Sequence, residues 1–282
     1  MNTALVNGIS IGYDDEGPRD GATPLLLVHG HPFDRSMWRP QLAEAARAGH
    51  RVIAPDLRGY GSSAVVPGTT PFSDFAADLA GLLDHLGIDG VVLGGLSMGG
   101  QIAMEFQRLH PDRVRGLLLA DTSVEPETEE GRARRHAMAD RLLREGMGPY
   151  ADEVLDMMVA PYNIEALPDV ATHVRLMMGG TRPEGAAAAL RGRAARPDYR
   201  PVLAQVAVPA LVVVGRDDAF TPLRDAETMR RLIRGAELAV IEGAAHMPNL
   251  ERPAEFTTLL LRFLDRIGHR RAARTAGTGA ES

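Results

Sequence analysis

An α/β domain built on a mostly parallel, twisted sheet, with helices on both faces and an inserted helical cap, is what this 282-residue sequence predicts. Three observations carry that prediction. Short apolar runs at residues 25–28, 52–54, 91–93, 114–120, 211–214 and 238–241 alternate with helical patterns, the rhythm of strand–helix crossovers. The runs are continuously apolar rather than alternating, so the sheet must be covered on both faces. Between residues 124 and 199 the rhythm stops. No strand-like run appears there, only acidic, arginine-rich, alanine-rich and methionine-containing helical patterns divided by prolines into about four pieces.

Taken in order, residues 4–6 and 9–14 form two strand-like pieces joined by Asn7-Gly8, the strongest short hairpin signal. Ser73 is placed to cap a helix running towards Leu86, with Gly87 ending it. The helix after residue 100 buries Ile102, Phe106 and Leu109 on one face and stops at Pro111. Thr221-Pro222 offers a cap and a first-turn proline, and Pro253 opens a last helix with Phe256, Leu260 and Phe263 on one face. The expected organisation is a core from residues 1–123 and 200–268, a cap insertion at 124–199 over the sheet's C-terminal edge, and a frayed tail at 269–282.

Composition narrows the function. Charged residues are 24% and hydrophobic ones 45%, the mixture of a well-packed globule. A net charge of −6 argues against a nucleic-acid surface. The chain has no cysteine, so disulfides, thiol catalysis and cysteine metal sites are excluded. All 31 basic residues are arginines, which removes Schiff-base and lysine-base mechanisms. No signal-peptide pattern and no membrane-length apolar run is visible, so the expectation is a cytoplasmic protein that engages no membrane.

The chemistry is concentrated in a few loops that follow strands. Gly95-Leu96-Ser97-Met98-Gly99 lies between an apolar run and a helical stretch, a G-x-S-x-G turn that holds a serine hydroxyl clear of the sheet. Small neighbours are needed because the turn is tight. The amide of Met98, at the start of the new helix, faces developing negative charge. Ser97 needs a base, and the base needs an orienting carboxylate. His246, on the small-residue loop Gly243-Ala244-Ala245-His246 after the last strand, is the best base. Its carboxylate should follow an earlier strand, where Asp217 and Asp218 are adjacent and only one can turn towards His246. Asp121, at the end of the 114–120 run, is the reserve acid. A second oxyanion donor is the amide of His31, in His29-Gly30-His31-Pro32, where the glycine lets the backbone approach the serine. The imidazoles of His29 and His31 are expected to pack and hydrogen-bond within that loop. Asp56-Leu57-Arg58-Gly59-Tyr60-Gly61-Ser62-Ser63 is read as a structural loop locked by an Asp–Arg pair.

Together these motifs resemble the α/β-hydrolase superfamily over nearly the whole chain apart from the tail, in that family's order and with the Ser97, Asp218, His246 sequence of triad members. The resemblance favours Asp218 as the acid, because the family's G-x-x-D-x-x-x-P loop falls on Gly215, Asp218 and Pro222. It implies the α/β-hydrolase fold and a capped serine esterase or lactonase, similar to 3-oxoadipate enol-lactonases and cofactor-free perhydrolases. Ser97 argues against haloalkane dehalogenases and epoxide hydrolases, which carry an aspartate at the elbow. Carbon–carbon bond hydrolases, hydroxynitrile lyases, non-hydrolytic biosynthetic enzymes and ligand receptors on the same fold remain as alternatives.

The expected partner is a small-molecule substrate, cleaved through an acyl-enzyme with no metal or organic cofactor. Whether the cap also forms a homodimer interface is open. Met138, Met147, Met157, Met158, Met177 and Met178 are candidates for an adaptable cap lining, with at least half expected in the core. Arg132, Arg134 and Arg135, beside Glu127, Glu129 and Glu130, are read as a solvated helix face rather than a carboxylate site.

Overall fold

The computed structural model describes residues 2–278, with side chains to residue 268. It opens with a hairpin of Asn2–Val6 (β1) and Ile9–Glu16 (β2), Val6 opposite Ile9. Asn7 and Gly8 both have positive φ, 48° and 80°, the twist that a two-residue turn needs to match its strands. Leu25–Val28 (β3), a 3-10 turn at Arg35–Trp38, Arg39–Arg47 (α1) and Val52–Pro55 (β4) follow. Then come Phe72–His85 (α2), Val91–Leu96 (β5), Met98–Leu109 (α3) and Val114–Ala120 (β6).

Between β6 and the next strand lies the helical insertion: Glu129–Glu145 (α4), Gly148–Met158 (α5), Pro161–Ala166 (α6), Pro168–Gly180 (α7) and Pro183–Ala194 (α8). These are five helices where four were expected. Pro161 and Pro168 each start a helix, as proline's fixed φ allows, and divide what the pattern alone joined. The chain returns through Arg200–Leu203 (α9) to Ala210–Gly215 (β7), Leu223–Leu232 (α10), Glu237–Ile241 (β8), Pro248–Glu251 (α11) and Pro253–Thr278 (α12). The helix is thus described into the segment from residue 269 for which fraying was expected, and residues 279–282 lie outside the described residues.

Two caps differ from expectation. Pro71 precedes α2 without a side-chain cap, so Ser73 lies within the first turn. Pro222 precedes α10, and the Thr221 hydroxyl donates to Asp218 instead of capping the helix.

The eight strands form one sheet in the order β1-β2-β4-β3-β5-β6-β7-β8. The pairs β1–β2 and β2–β4 are antiparallel and the others parallel. β4 lies on one side of β3 and β5 on the other, so the order reverses there and the loops leaving β3 and β5 open a crevice at their C-terminal ends.

Alternate strand residues feed two cores. Leu26, Val28, Leu93, Leu117, Leu119 and Val212 meet Phe75, Leu79, Ile102, Phe106 and Met229 from α2, α3 and α10. Leu25, Leu27, Val92, Leu118, Leu211 and Val213 meet Leu42, Phe256, Leu260 and Phe263 from α1 and α12. Full burial of each such side chain contributes roughly 1.5–3 kcal/mol, so the strand ends are carried on a stiff two-sided frame. Among the described residues no helix is long and apolar enough to cross a membrane.

Phe263, 1% exposed, holds α12 against the second core. Phe263→Ala is expected to lower the unfolding free energy by about 3–5 kcal/mol in urea titration; a loss below about 1 kcal/mol would show that α12 does not belong to the cooperative core.

Candidate active site

Ser97 occupies the turn between β5 and α3 with φ 57° and ψ −119°. That left-handed backbone is forced by packing on every side. A Cβ on Gly95 would lie 2.2 Å from the Gly99 carbonyl oxygen, and one on Gly99 would lie 2.2 Å from the Val28 carbonyl oxygen at the end of β3. On the far side, the Ser97 amide donates to the Ala120 carbonyl at 2.9 Å, and the Thr122 hydroxyl donates to the Ser97 carbonyl at 2.7 Å. β3 and β6 therefore clamp the turn from both flanks.

The loop leaving β3 reaches the same place. A Cβ on Gly30 would stand 3.1 Å from the Ser97 Cβ, which is why this position is glycine. Among the described residues neither the His31 amide nor the Met98 amide has a hydrogen-bond partner, and Met98 is the first residue of α3. His29 pins the loop. Its Nε2 accepts from the Leu57 amide at 2.9 Å, so Nδ1 carries the proton and donates to the Gly30 carbonyl at 2.8 Å. Burial, set against the nearby Asp56 charge, lowers the His29 pKa and keeps it neutral. The His31 ring lies with Nδ1 2.8 Å from the Tyr60 hydroxyl, while its Nε2 is buried without a partner among the described residues. Burial and the Arg193 and Arg135 guanidiniums hold the His31 pKa well below the usual histidine range.

The Asp56–Ser63 loop is structural, but its pairs are not the expected Asp56–Arg58. Asp56 is buried and bonds to Arg35, to the Arg35 amide and to Ser62. Arg58 instead bonds both carboxylate oxygens of Asp78 on α2.

The candidate base and the candidate acid meet. His246 Nδ1 lies 2.8 Å from Asp218 Oδ2, both side chains all but fully buried. Asp218 also accepts from the Phe220 amide (2.8 Å), the Thr221 amide (3.1 Å) and the Thr221 hydroxyl (2.5 Å). Burial alone would raise its pKa; the His246 charge and hydrogen bond, with those from Thr221, outweigh it and hold the carboxyl at about 2. Its neighbour Asp217 is exposed and accepts from the Tyr162 hydroxyl on α6. The two loops are locked together as well: the Asp217 amide donates to the Ala244 carbonyl at 2.9 Å, and a Cβ on Gly215 would collide with the Ala245 carbonyl oxygen at 1.9 Å.

Asp121, also in the left-handed region (φ 44°), accepts from the Gly215 amide at 2.8 Å through Oδ1, and its Oδ2 has no partner among the described residues. Ligand atoms of Asp121, Asp218 and His246 lie within 4.8 Å of one another. Such a trio has the donor types of a cation site, but Asp218's oxygens are already taken up by four donors. Burial first, then the Asp218 charge, pushes the Asp121 pKa well above the carboxylate range. Both effects favour the protonated form of Asp121 beside an ionised Asp218. Asp121 therefore stands behind Asp218 and does not replace it.

Several organising residues carry no local sequence signal. Glu251 is buried; it accepts from the Ala245 amide at 2.8 Å, the Ala160 amide at 2.9 Å and Asn163 Nδ2 at 2.6 Å. It thereby ties the His246 loop to the helical insertion. Gln101, one turn into α3, receives Arg193 Nε at 2.9 Å.

Ser97 and His246 line one cavity of about 280 Å³, whose wall also includes His31, Ser123, Tyr150, Phe220 and Thr221. No hydrogen bond joins the Ser97 hydroxyl to His246 among the described residues; such contacts commonly tighten only with substrate bound. The Phe220 ring sits 5.1 Å from the His246 ring, between this cavity and an adjoining one of about 320 Å³ bounded by Gly131, Met138 and Val154. Of the methionines considered, Met158 and Met138 reach these cavities; Met147, Met177 and Met178 are buried in the cores, and Met157 is partly exposed.

Residues 25–259 match the model of the Alpha/beta hydrolase family. The chain belongs to that family. It is similar to the structure of a thermophilic esterase from Thermogutta terrifontis, malate bound, at 39% identity and a TM-score of 0.90 over 95% of this chain and 98% of that one. It is also similar to the structure of the enol-lactonase from Burkholderia xenovorans, at 31% identity and a TM-score of 0.86 over 94% and 100% of the two chains. The 3-oxoadipate enol-lactonase 1 of Acinetobacter baylyi is 28% identical over 92% of this chain and 95% of its own.

The protonated state assigned to Asp121 has a measurable signature. The folded chain keeps a proton that the unfolded chain gives up near pH 3.9, so this group contributes stability below that pH and progressively less as pH rises towards its raised folded pKa. Asp121→Asn carries no such dependence. Urea denaturation from pH 4 to 8 should show the variant gaining on the natural protein as pH rises, whereas a constant difference would mean that Asp121 is ionised in the fold.

Proposed function

We propose that Ser97 is the nucleophile, His246 the general base and acid, and Asp218 the carboxylate that orients it, with the His31 and Met98 amides as oxyanion donors. The protein is an esterase or lactonase acting on a small organic ester or lactone through an acyl-enzyme. One observation carries this reading: Asp218 Oδ2 lies 2.8 Å from Nδ1 of a buried histidine, placed to accept its hydrogen bond, and that ring lines the cavity of a strained, turn-mounted serine. With Nδ1 so engaged, Nε2 is the nitrogen with a free lone pair, the tautomer a general base requires.

The steps follow. His246 Nε2 takes the Ser97 proton as Oγ attacks the carbonyl carbon. Negative charge on the carbonyl oxygen is met by two amides that have no competing partner. Each such donor contributes about 3 kcal/mol to the transition state when it is aimed in advance. The imidazolium, stabilised by the ionised Asp218, then returns its proton to the leaving alkoxide as the C–O bond breaks. A lactone's alkoxide stays tethered in the acyl group, whereas an ester's leaves. Water, deprotonated by the same nitrogen, attacks the acyl-enzyme and restores Ser97.

Ser97→Ala should lower kcat/KM towards 4-nitrophenyl acetate by about 10⁴-fold or more, with an unchanged thermal midpoint. A fluorophosphonate probe should add its mass to Ser97 in the natural protein and not in the variant. Full turnover by the variant would remove Ser97 from the mechanism. Asp218→Asn, which offers His246 a donor in place of an acceptor, should cost about 10⁴-fold in kcat at neutral pH; near-normal turnover would transfer the orienting role to another group.

A further inference from the structure

The cavity above Ser97 is cationic, although the chain as a whole carries a net charge of −6. Three arginines line it, Arg135 from α4, Arg193 from α8, and Arg196 just beyond α8, with Glu127 as the only carboxylate in its wall. Glu127 is engaged elsewhere, its Oε1 accepting from Arg135 and from Arg196. Arg196 is occupied further by the carbonyls of Glu125 and Arg193.

Arg193 differs from both. It has no ion pair among the described residues, and its one side-chain bond is from Nε to Gln101 Oε1 at 2.9 Å. Gln101 is itself oriented by its Nε2 donating to Ser123 Oγ at 3.3 Å. The guanidinium is thus held by its stem side, one helical turn along α3 from Ser97, with both terminal nitrogens free of protein partners. Burial first, then the Arg135 and Arg196 charges, depresses its pKa well below the usual arginine value, against the weaker opposing pull of Glu127. A desolvated charge of this kind is costly unless something pairs with it.

We propose that the two free terminal nitrogens of Arg193, with Arg135 beside them, form a carboxylate subsite, so that the substrate is an ester or lactone bearing a second, ionised carboxylate. The planar fork of a guanidinium matches a carboxylate two bonds at a time, a geometry no lysine reproduces. This rests on the hydrolase reading above and specifies its substrate: a dicarboxylic half-ester, hydrolysed by one water to a dicarboxylate and the free alcohol, or a carboxylated lactone, opened by one water to a hydroxy-dicarboxylate.

The test compares the monoethyl ester of glutaric acid with its neutral isostere, ethyl 4-carbamoylbutanoate. The natural protein should prefer the anionic ester by about tenfold or more in kcat/KM, chiefly through KM. Arg193→Met should cut that preference by about tenfold or more, and the ratio of the two rates does not depend on how much of the variant is folded. Equal rates for the two esters, or a preference that survives Arg193→Met, overturns the proposal. Calorimetric titration with succinate provides a readout without turnover: binding by the natural protein, weakened about tenfold or more in Arg193→Met, supports the subsite, and no binding counts against it. If neither ester turns over and a fluorophosphonate leaves Ser97 unlabelled, the hydrolase reading has failed, and the succinate titration still decides the carboxylate site on its own.

Discussion

The site depends on one constraint, the contact between the turn at Ser97 and the end of β3. Gly99 rests against the Val28 carbonyl so closely that not even a methyl group fits, and Gly30 in turn presses on the Ser97 Cβ. This contact keeps Ser97 in a left-handed conformation that costs of order 1–3 kcal/mol. It also brings the His29-Gly30 loop against the turn that opens α3. The cost is borne by the sheet, since β3, β5 and β6 are paired in register up to the residues that enter the turn: Val28 beside Gly95, and Leu96 beside Ala120. The proposed nucleophile Ser97 and the loop after β3 are therefore parts of one backbone arrangement.

The acid and base are held by a second, more distributed set of interactions. Parallel pairing of Gly215 with Ile241 brings the loops after β7 and β8 together, and backbone bonds between Asp217 and Ala244 fix their spacing. Glu251 then fastens the His246 loop to the insertion through Ala160 and Asn163. The cap is consequently tied to the catalytic loops themselves, and Tyr162, bonded to Asp217, adds a second tie. Burial drives the electrostatics in opposite directions in this region. Asp218 remains ionised because four donors face it, whereas Asp121, with one donor and an ionised neighbour, keeps its proton.

Motifs written in consecutive residues were legible in the chain. The glycines around Ser97, the His29-Gly30-His31 loop and the His246 loop announce themselves because tight turns restrict residue type locally. The strand–helix alternation likewise shows the sheet. What stayed hidden depends on partners far apart in sequence. Thr221 looked like a helix cap, but Pro222 holds the position before α10, and the Thr221 hydroxyl donates to the buried Asp218 carboxylate. Asp56 and Arg58 looked like a pair, yet adjacent side chains on a tight turn diverge, and each found another partner. Arg135 looked like part of a solvated helix face beside acidic residues. Only the folding of α4 over the sheet shows that it turns inward towards Glu127 and the cavity. Arg193 and Arg196, the polar residues of an alanine-rich stretch, gave no warning of their place above Ser97.

In the proposed mechanism Ser97, His246, Asp218 and two backbone amides act on one reacting carbon. A crystal structure of the protein inhibited by a small alkyl fluorophosphonate tests it most directly. The account predicts phosphorus bonded to Ser97 Oγ, with the phosphoryl oxygen about 2.7–3.1 Å from the amide nitrogens of both His31 and Met98 and His246 Nε2 within hydrogen-bonding reach of the adduct. An adduct on another residue, or one whose phosphoryl oxygen turns away from both amides, would contradict it.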